Sequence, residues 1–266
     1  MNKAEIFKYL SPDYPWKDSF EYFDSIDSTN NYLKRQATLG IPEGSLAVAD
    51  CQTGGRGRLG RSFQSPKGVG IYMSVLLRPN CPPENLMHLT CAVAVAMCDA
   101  VEAATGCRPG IKWTNDLVMN HRKICGILTE LAMTREGTVD YAIIGVGINC
   151  CQKETDFPEE IRKTAGSLAM VTVQTISRPK VAAAMMEAFA KMNDGLFTGK
   201  EEMLARYKQD CITLGQEISL VRGEEVRHGT ALDIGPNGDL IVRFTDGTVA
   251  PVASGEVSVR GLYGYV

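Results

Sequence analysis

Histidine and tryptophan are scarce in this chain of 266 residues, with three of the first and two of the second. His88, His121 and His228 all stand apart from cysteines at ligand spacing, which argues against a structural zinc site. The nine cysteines form no paired framework, and the adjacent Cys150 and Cys151 have no matching pair elsewhere. They read as reduced thiols of an intracellular protein, so a cytoplasmic location is expected. The N-terminal MNKAEIFKYLSPDYPW lacks an apolar segment flanked by a cleavage site. No stretch is read as approaching the length of a membrane span, and no membrane partner is expected. Neither sign of charge dominates: the formal net charge of -3 argues against generalised polyanion binding and leaves any cationic function to a local cluster. Internal repeats and low-complexity tracts are also missing. What is present, 44% hydrophobic and 22% charged residues, suits a soluble chain with a real core, arranged as one large domain and one small one.

The pattern along the chain supports that division. Ser28 or Thr29 can cap a short helix with Tyr32 and Leu33 on its apolar face and Gly40 beyond its end. SLAVADC (residues 45–51) reads as a buried strand running into a glycine- and arginine-rich loop, and GIYMSVLLRP (70–79) reads as another strand. Pro82 and Pro83 precede a long apolar helix over 84–104 that stops at Gly106. Three strands, around 117–119, 123–133 and 139–148, are divided by Asn120-His121 and by Arg135-Glu136-Gly137. Consecutive hairpins and an at least partly antiparallel sheet follow from that spacing. Ser177 with Pro179 starts a helix reaching Leu196, and a second is expected over 201–211. From Glu217 onward, short alternating runs separated by GEE, GPNGD, TDG and SGE turns predict a small barrel or sandwich, with the boundary near Leu214.

Five clusters can carry chemistry. In GGRGRLGR (54–61) the glycines let backbone approach a ligand and three arginines can pair with phosphate or carboxylate oxygens. No Gly-Lys-Ser/Thr follows, so it is not a Walker loop, and no acidic residue completes a dinucleotide fingerprint. Taken alone, it has a lesser reading as a mobile basic loop of the RNA-binding kind. IKWTNDL (111–117) places Lys112, Asn115 and Asp116 directly after a strand, where site residues gather, although Asn115-Asp116 as a plain turn is the simpler reading. Lys123 lies among apolar neighbours in RKICGILTE and needs an anionic partner if buried, whereas two solvated charges at Arg122 and Lys123 would need none. DSTN (27–30) either caps a helix or offers hydroxyl and amide groups to a ligand. GVGIN (145–149) either ends a strand tightly or brings backbone and Asn149 close to one.

In order, DSTN, CQTGGRGRLGRSFQSP, KWTNDL, RKICGILTE and GVGIN resemble the motifs of biotin–protein ligases. The resemblance runs from about residue 20 to the C-terminus, where GEVSVRG (255–261) looks like the family's terminal-domain signature. It implies an α+β fold, a mixed, largely antiparallel sheet with helices similar to class II aminoacyl-tRNA synthetases and lipoate ligases, followed by an SH3-like β-barrel. A catalytic domain over 1–214 and a C-terminal domain over 215–266 are expected. The implied activity is ATP-dependent formation of biotinyl-AMP and transfer of biotin to a lysine of a biotin carboxyl carrier protein domain. ATP, biotin as substrate and magnesium are the implied small molecules.

Carried over by position, Ser28, Thr29, Asn30, Gln52, Gly55, Arg56, Arg58 and Lys123 fall to biotin. Arg58, Arg61, Phe63, Lys112, Asn115, Lys123 and Asn149 fall to ATP and the adenylate. Lys123, Arg58 and Asp116 fall to catalysis, with Asp116 also the metal ligand. Ile127, Leu128 and Ile144 are the expected apolar lining. Two positions depart from the family: Thr114 replaces the proline of KWPND, which is expected to loosen that turn, and Phe63 replaces a tryptophan but keeps a π face. DSTN begins at Asp27, leaving too few residues before it for the winged helix of the repressor forms, so no DNA partner is expected; monomer and homodimer both remain open. The competing readings are a lipoate–protein ligase and an RNA-binding module, the latter weakened by the lack of aromatics interleaved with basic residues.

Overall fold

Two sheets organise the chain in a computed structural model that describes residues 1–253 and 258–261. The first part contains α1 (Lys3–Phe7), β1 (Phe20–Phe23), α2 (Thr29–Ala37), β2 (Leu46–Ala49), β3 (Gly70–Leu77) and α3 (Leu89–Thr105). A meander follows: β4 (Gly110–Lys112), β5 (Asp116–Met119), β6 (Arg122–Met133) and β7 (Val139–Asn149). Then come α4 (Leu168–Val171), α5 (Arg178–Gly195) and α6 (Lys200–Asp210), and finally β8 (Glu217–Arg222), β9 (Glu225–Ile234), β10 (Leu240–Phe244), β11 (Val249–Val252) and β12 (Ser258–Gly261).

The large sheet has the order β1-β2-β3-β7-β6-β5-β4. Its pairings are antiparallel except β1 with β2, which is parallel, so the sheet is mixed and largely antiparallel as expected. Tight connections explain the meander. Asn120 and His121 both take positive φ, the backbone that lets a two-residue turn match strand twist. Strands β2 and β3 are buried along their whole length because both faces are covered. Val48 and Val75 join the main core with α3 and α5, while Ala47, Leu76 and Ile143 meet Leu33 and Ala37 of α2 on the other side. That double cover is why SLAVA reads as an uninterrupted apolar run.

Helix α3 ends where Gly106 adopts φ 71°, a left-handed cap that suits glycine. Its start differs from expectation: a 3-10 turn at Pro83–Leu86 precedes the helix, which begins only at Leu89. The His88 ring does not cap it, because Nε2 is turned to the Leu196 carbonyl at 3.0 Å. Nor does the sequence lack a span of membrane length. Pro83–Thr105 covers 23 residues with mean hydropathy 1.5, and 72% of its most apolar window is buried, because it forms the central core helix.

The smaller sheet, ordered β11-β10-β9-β8-β12 and antiparallel throughout, is the SH3-like unit. Of the GEVSVRG signature, residues 258–261 form β12, and 255–257 lie outside the described residues. The sheets are fastened together: Trp113 Nε1 donates to the Gly238 carbonyl at 2.9 Å, and Ile218, Leu240 and Val242 belong to the main core.

Candidate active site

Glycines open the middle of the large sheet. Pairing of β6 with β7 sets Gly126 opposite Gly147 and Leu128 opposite Gly145, which leaves a floor nearly free of side chains. A Cβ at Gly147 would overlap the Phe63 ring, one at Gly145 would overlap the Asn30 amide, and one at Gly126 would come within 3.3 Å of Lys123 Nζ. Above this floor is a cavity of about 420 Å³, roofed by residues 56–63 and walled by Met73, Trp113, Ile127, Leu128 and Val146. Val259 of β12 reaches it from the second sheet.

One part of the lining is neutral and hydrogen-bonding. Ser28 Oγ caps α2 by accepting from Asn31 N at 3.4 Å, which presents the next residues to the cavity. Gln52 Oε1 accepts from Thr29 N at 2.9 Å, and Gln52 Nε2 donates to Ser65 Oγ at 3.1 Å. Ser74 Oγ lies 2.6 Å from Asn30 Oδ1 and 2.7 Å from Thr29 Oγ1. A hydroxyl has one proton and Asn30 Oδ1 has none, so Ser74 donates to Asn30, and the Thr29 proton goes to Ser74 or to Gln52.

A second part is cationic. Lys123 Nζ meets Asp116 Oδ1 at 2.6 Å, and Arg58 Nη1 donates to Asn115 Oδ1 at 2.8 Å. Asn115 is itself fixed to β6, its Nδ2 donating to the Ile127 carbonyl at 2.9 Å. Burial lowers the Arg58 pKa, an effect opposed by the charge of Asp116. Lys112, Arg61 and Phe63 complete this side, with Lys112 buried. The turn bearing Asn115 and Asp116 is not loosened by Thr114. Tyr207 Oη donates to the Thr114 carbonyl at 3.2 Å, and Trp113 N donates to Thr213 Oγ1 at 2.9 Å.

Three expected residues are placed elsewhere. Asn149 is buried away from the cavity, donating to the Gly166 carbonyl at 3.0 Å and accepting from Gln152 Nε2 at 3.0 Å, so it supports the 162–166 segment instead. Gly55 does not line the cavity; a Cβ there would overlap the Phe63 carbonyl oxygen, so its smallness shapes the loop. Ile144 is fully buried in the core. Arg122, on the face opposite Lys123, donates to the Arg162 and Ala165 carbonyls. Ser74 does not line the cavity but is the main residue added behind it, through its bonds to Asn30 and Thr29. Its mark in the sequence is a lone hydroxyl inside an apolar strand, which needs buried partners. Among the described residues no three His, Cys, Asp or Glu side chains cluster as a metal site, and the carboxylate lining the cavity is Asp116.

Residues 22–149 match the biotin/lipoate A/B protein ligase family, and residues 213–260 match the biotin protein ligase C-terminal domain. The bifunctional ligase/repressor BirA of Bacillus spizizenii is 36% identical over 227 residues, covering 85% of this chain and 70% of that protein. The biotin–[acetyl-CoA-carboxylase] ligase of Mycobacterium tuberculosis is 30% identical over 240 residues, covering 88% and 86% respectively. Among solved structures, the biotin protein ligase from Aquifex aeolicus in complex with biotin and ATP matches with a TM-score of 0.76 and 30% identity, over 91% of this chain and 99% of that one.

Proposed function

This chain belongs to the biotin protein ligase family, and on that premise we propose that its cavity joins biotin to ATP and then to a carrier lysine. The observation that carries the reading is the cavity's division: a neutral hydrogen-bonding group around Thr29, Asn30 and Gln52, apolar walls at Met73, Ile127 and Val146, and a cationic group around Lys123 and Arg58. Biotin has the same three parts, a ureido head, a hydrocarbon chain and a carboxylate. The lipoate reading is not favoured, because the C-terminal match is to biotin ligases.

In the first step the biotin carboxylate attacks the α-phosphorus of ATP, forming biotinyl-AMP as pyrophosphate leaves. Lys123 and Arg58 supply positive charge where negative charge gathers, and Asp116 and Asn115 hold those two side chains in place. Magnesium bound to the triphosphate would neutralise it and the departing pyrophosphate, and Asp116 is the residue to hold it, in keeping with a cation usually held by one or two carboxylates and substrate phosphates. In the second step the uncharged amine of the carrier lysine attacks the acyl carbon and AMP departs. The roof of residues 56–63 shields the mixed anhydride from water. In this reading residues 1–214 form the catalytic domain and 215–266 the C-terminal domain, the carrier is the biotin carboxyl carrier domain of a biotin-dependent carboxylase, and the setting is the cytoplasm. The test is pyrophosphate exchange into ATP with biotin, lipoate or octanoate as the only acid. Exchange that requires biotin is the expected outcome; exchange with lipoate alone, or with none, rejects the reading.

A further inference from the structure

Arg56, on the loop that roofs the cavity, sends Nη1 to two acceptors: Asn31 Oδ1 at 3.1 Å and Glu130 Oε1 at 3.2 Å. Glu130 stands on β6 on the face it shares with Gly126 and Leu128, the face of the cavity floor. Its carboxylate also receives Lys34 Nζ at 2.5 Å and Asn30 Nδ2 at 2.9 Å. Burial alone would raise the Glu130 pKa, but the bonds from Lys34 and Asn30 and the charges of Lys34 and Arg56 outweigh it and hold it below the ordinary carboxylate range. The group is therefore an anion at neutral pH, 18% exposed, gathering one amide and one cation from α2 and a second cation from the roof loop.

Two consequences follow from this geometry. An ionised carboxylate only accepts hydrogen bonds, so it requires the Asn30 amide to present Nδ2 and thereby turns Oδ1 toward Ser74. The direction of donation from Ser74 to Asn30, which leaves Ser74 only able to accept from Thr29, is set by a residue that does not line the cavity. The second consequence concerns the roof. Lys34 and Asn30 satisfy Glu130 without Arg56, so Arg56 can depart without stranding a buried charge. While bound, it ties the loop to β6 as Arg58 ties it to Asn115.

We infer that Glu130 is a positioning residue for the acid substrate: it fixes the hydrogen-bond polarity of the Asn30–Ser74–Thr29 chain and tethers the roof through Arg56. The inference rests on the reading of the cavity as a biotin site.

The experiment is steady-state pyrophosphate exchange, with biotin varied, in the full chain and in Glu130→Gln, Arg56→Ala and the double variant. The glutamine side chain keeps the shape but removes the charge, and it lets the Asn30 amide sit either way. For Glu130→Gln the KM for biotin should rise about fivefold, the upper range for a partly exposed ion pair, while kcat at saturating biotin changes by less than about twofold. The double variant should lose less than the product of the single losses, because the two side chains act through one contact. An unchanged KM in Glu130→Gln, a fall in kcat alone, or strictly multiplicative losses overturns the positioning role. If Glu130→Gln does not melt cooperatively, Glu130→Asp, which keeps the charge but withdraws it by one methylene, must raise KM in the same way, and a wild-type KM there also overturns it. Failure of the unaltered chain to exchange with biotin at all rejects the biotin reading, a result distinct from any of these.

Discussion

Lys123 is the residue on which the proposed chemistry depends most directly. Its ammonium is half-buried, and its side chain is held by Asp116 at 2.6 Å, so its position at the cavity is fixed before a substrate arrives. Replacing it with methionine keeps much of the apolar stem and removes the charge. The expected result is a loss of about 10²–10³ in kcat for biotin-dependent exchange, the range seen when one stabilising donor is removed from a transition state. A circular-dichroism melt should remain cooperative, and wild-type turnover in Lys123→Met contradicts the role. At this scale the sequence was informative where a motif combined several unusual residues. Arg58, Asn115, Asp116 and Lys123 come from three separate motifs, and the structure gathers them around one cavity. Asn149 shows the limit, since GVGIN fixes a backbone position but not the direction of its last side chain, which the 162–166 segment captures through Gly166. Glu130 was equally illegible, because its partners Asn30 and Arg56 lie 100 and 74 positions away in the chain.

Among the elements, helix α5 and the sheet meet at a buried ion pair. Arg178, at the start of α5, donates to Asp50 just after β2 and through Nε to the Gly70 carbonyl at 2.9 Å at the start of β3. Asp50 is 6% exposed, and it lies two residues before Gln52, so the same tie steadies the strand end that enters the cavity. Arg178→Met should destabilise the fold by about 3–5 kcal/mol, because an unpaired carboxylate is left buried. Adding Asp50→Asn should recover part of that loss, and urea titrations of the single and double variants measure both effects. Equal destabilisation of the two variants would show that the carboxylate is not the cause. The elements that could be read from sequence were those with local signals: Ser28 and Ser177 as helix caps, Gly106 as a stop, and Asn120-His121 as a turn. Strand β1 had none of these. Its four residues FEYF pair in parallel with β2, 26 positions later, and parallel pairing across such a distance has no adjacent turn to announce it.

At the scale of the whole molecule, the core keeps its buried cysteines protonated. All nine are free, and five of them are buried. Burial pushes the Cys91 thiol up to about 12, and burial likewise raises those of Cys98, Cys125 and Cys150. Burial also lifts the hydroxyls of Tyr14, Tyr72 and Tyr207. In the unfolded chain these thiols lose their protons near pH 9, the ordinary range for a free thiol. Above that pH the folded state binds more protons than the unfolded one, so stability is fully present below about pH 9 and declines as pH rises. Calorimetric melting temperatures should hold steady from pH 7 to about 8.5 and then drop steeply toward pH 10.5. A flat profile to pH 10.5 would contradict the sealed core that this distribution of thiols describes.

The bond from Trp113 to Gly238 also bears on the order in which the molecule is made. Synthesis is vectorial, and residue 113 leaves the ribosome long before residue 238 does. The turn holding Asn115 and Asp116 therefore emerges early and waits for Tyr207 and Thr213 to brace it, and the bond to Gly238 is made only after 125 further residues are added. Strand β12, which brings Val259 to the cavity, comes later still. A nascent chain carries every residue of the cationic group well before it carries a finished cavity, which waits for Val259.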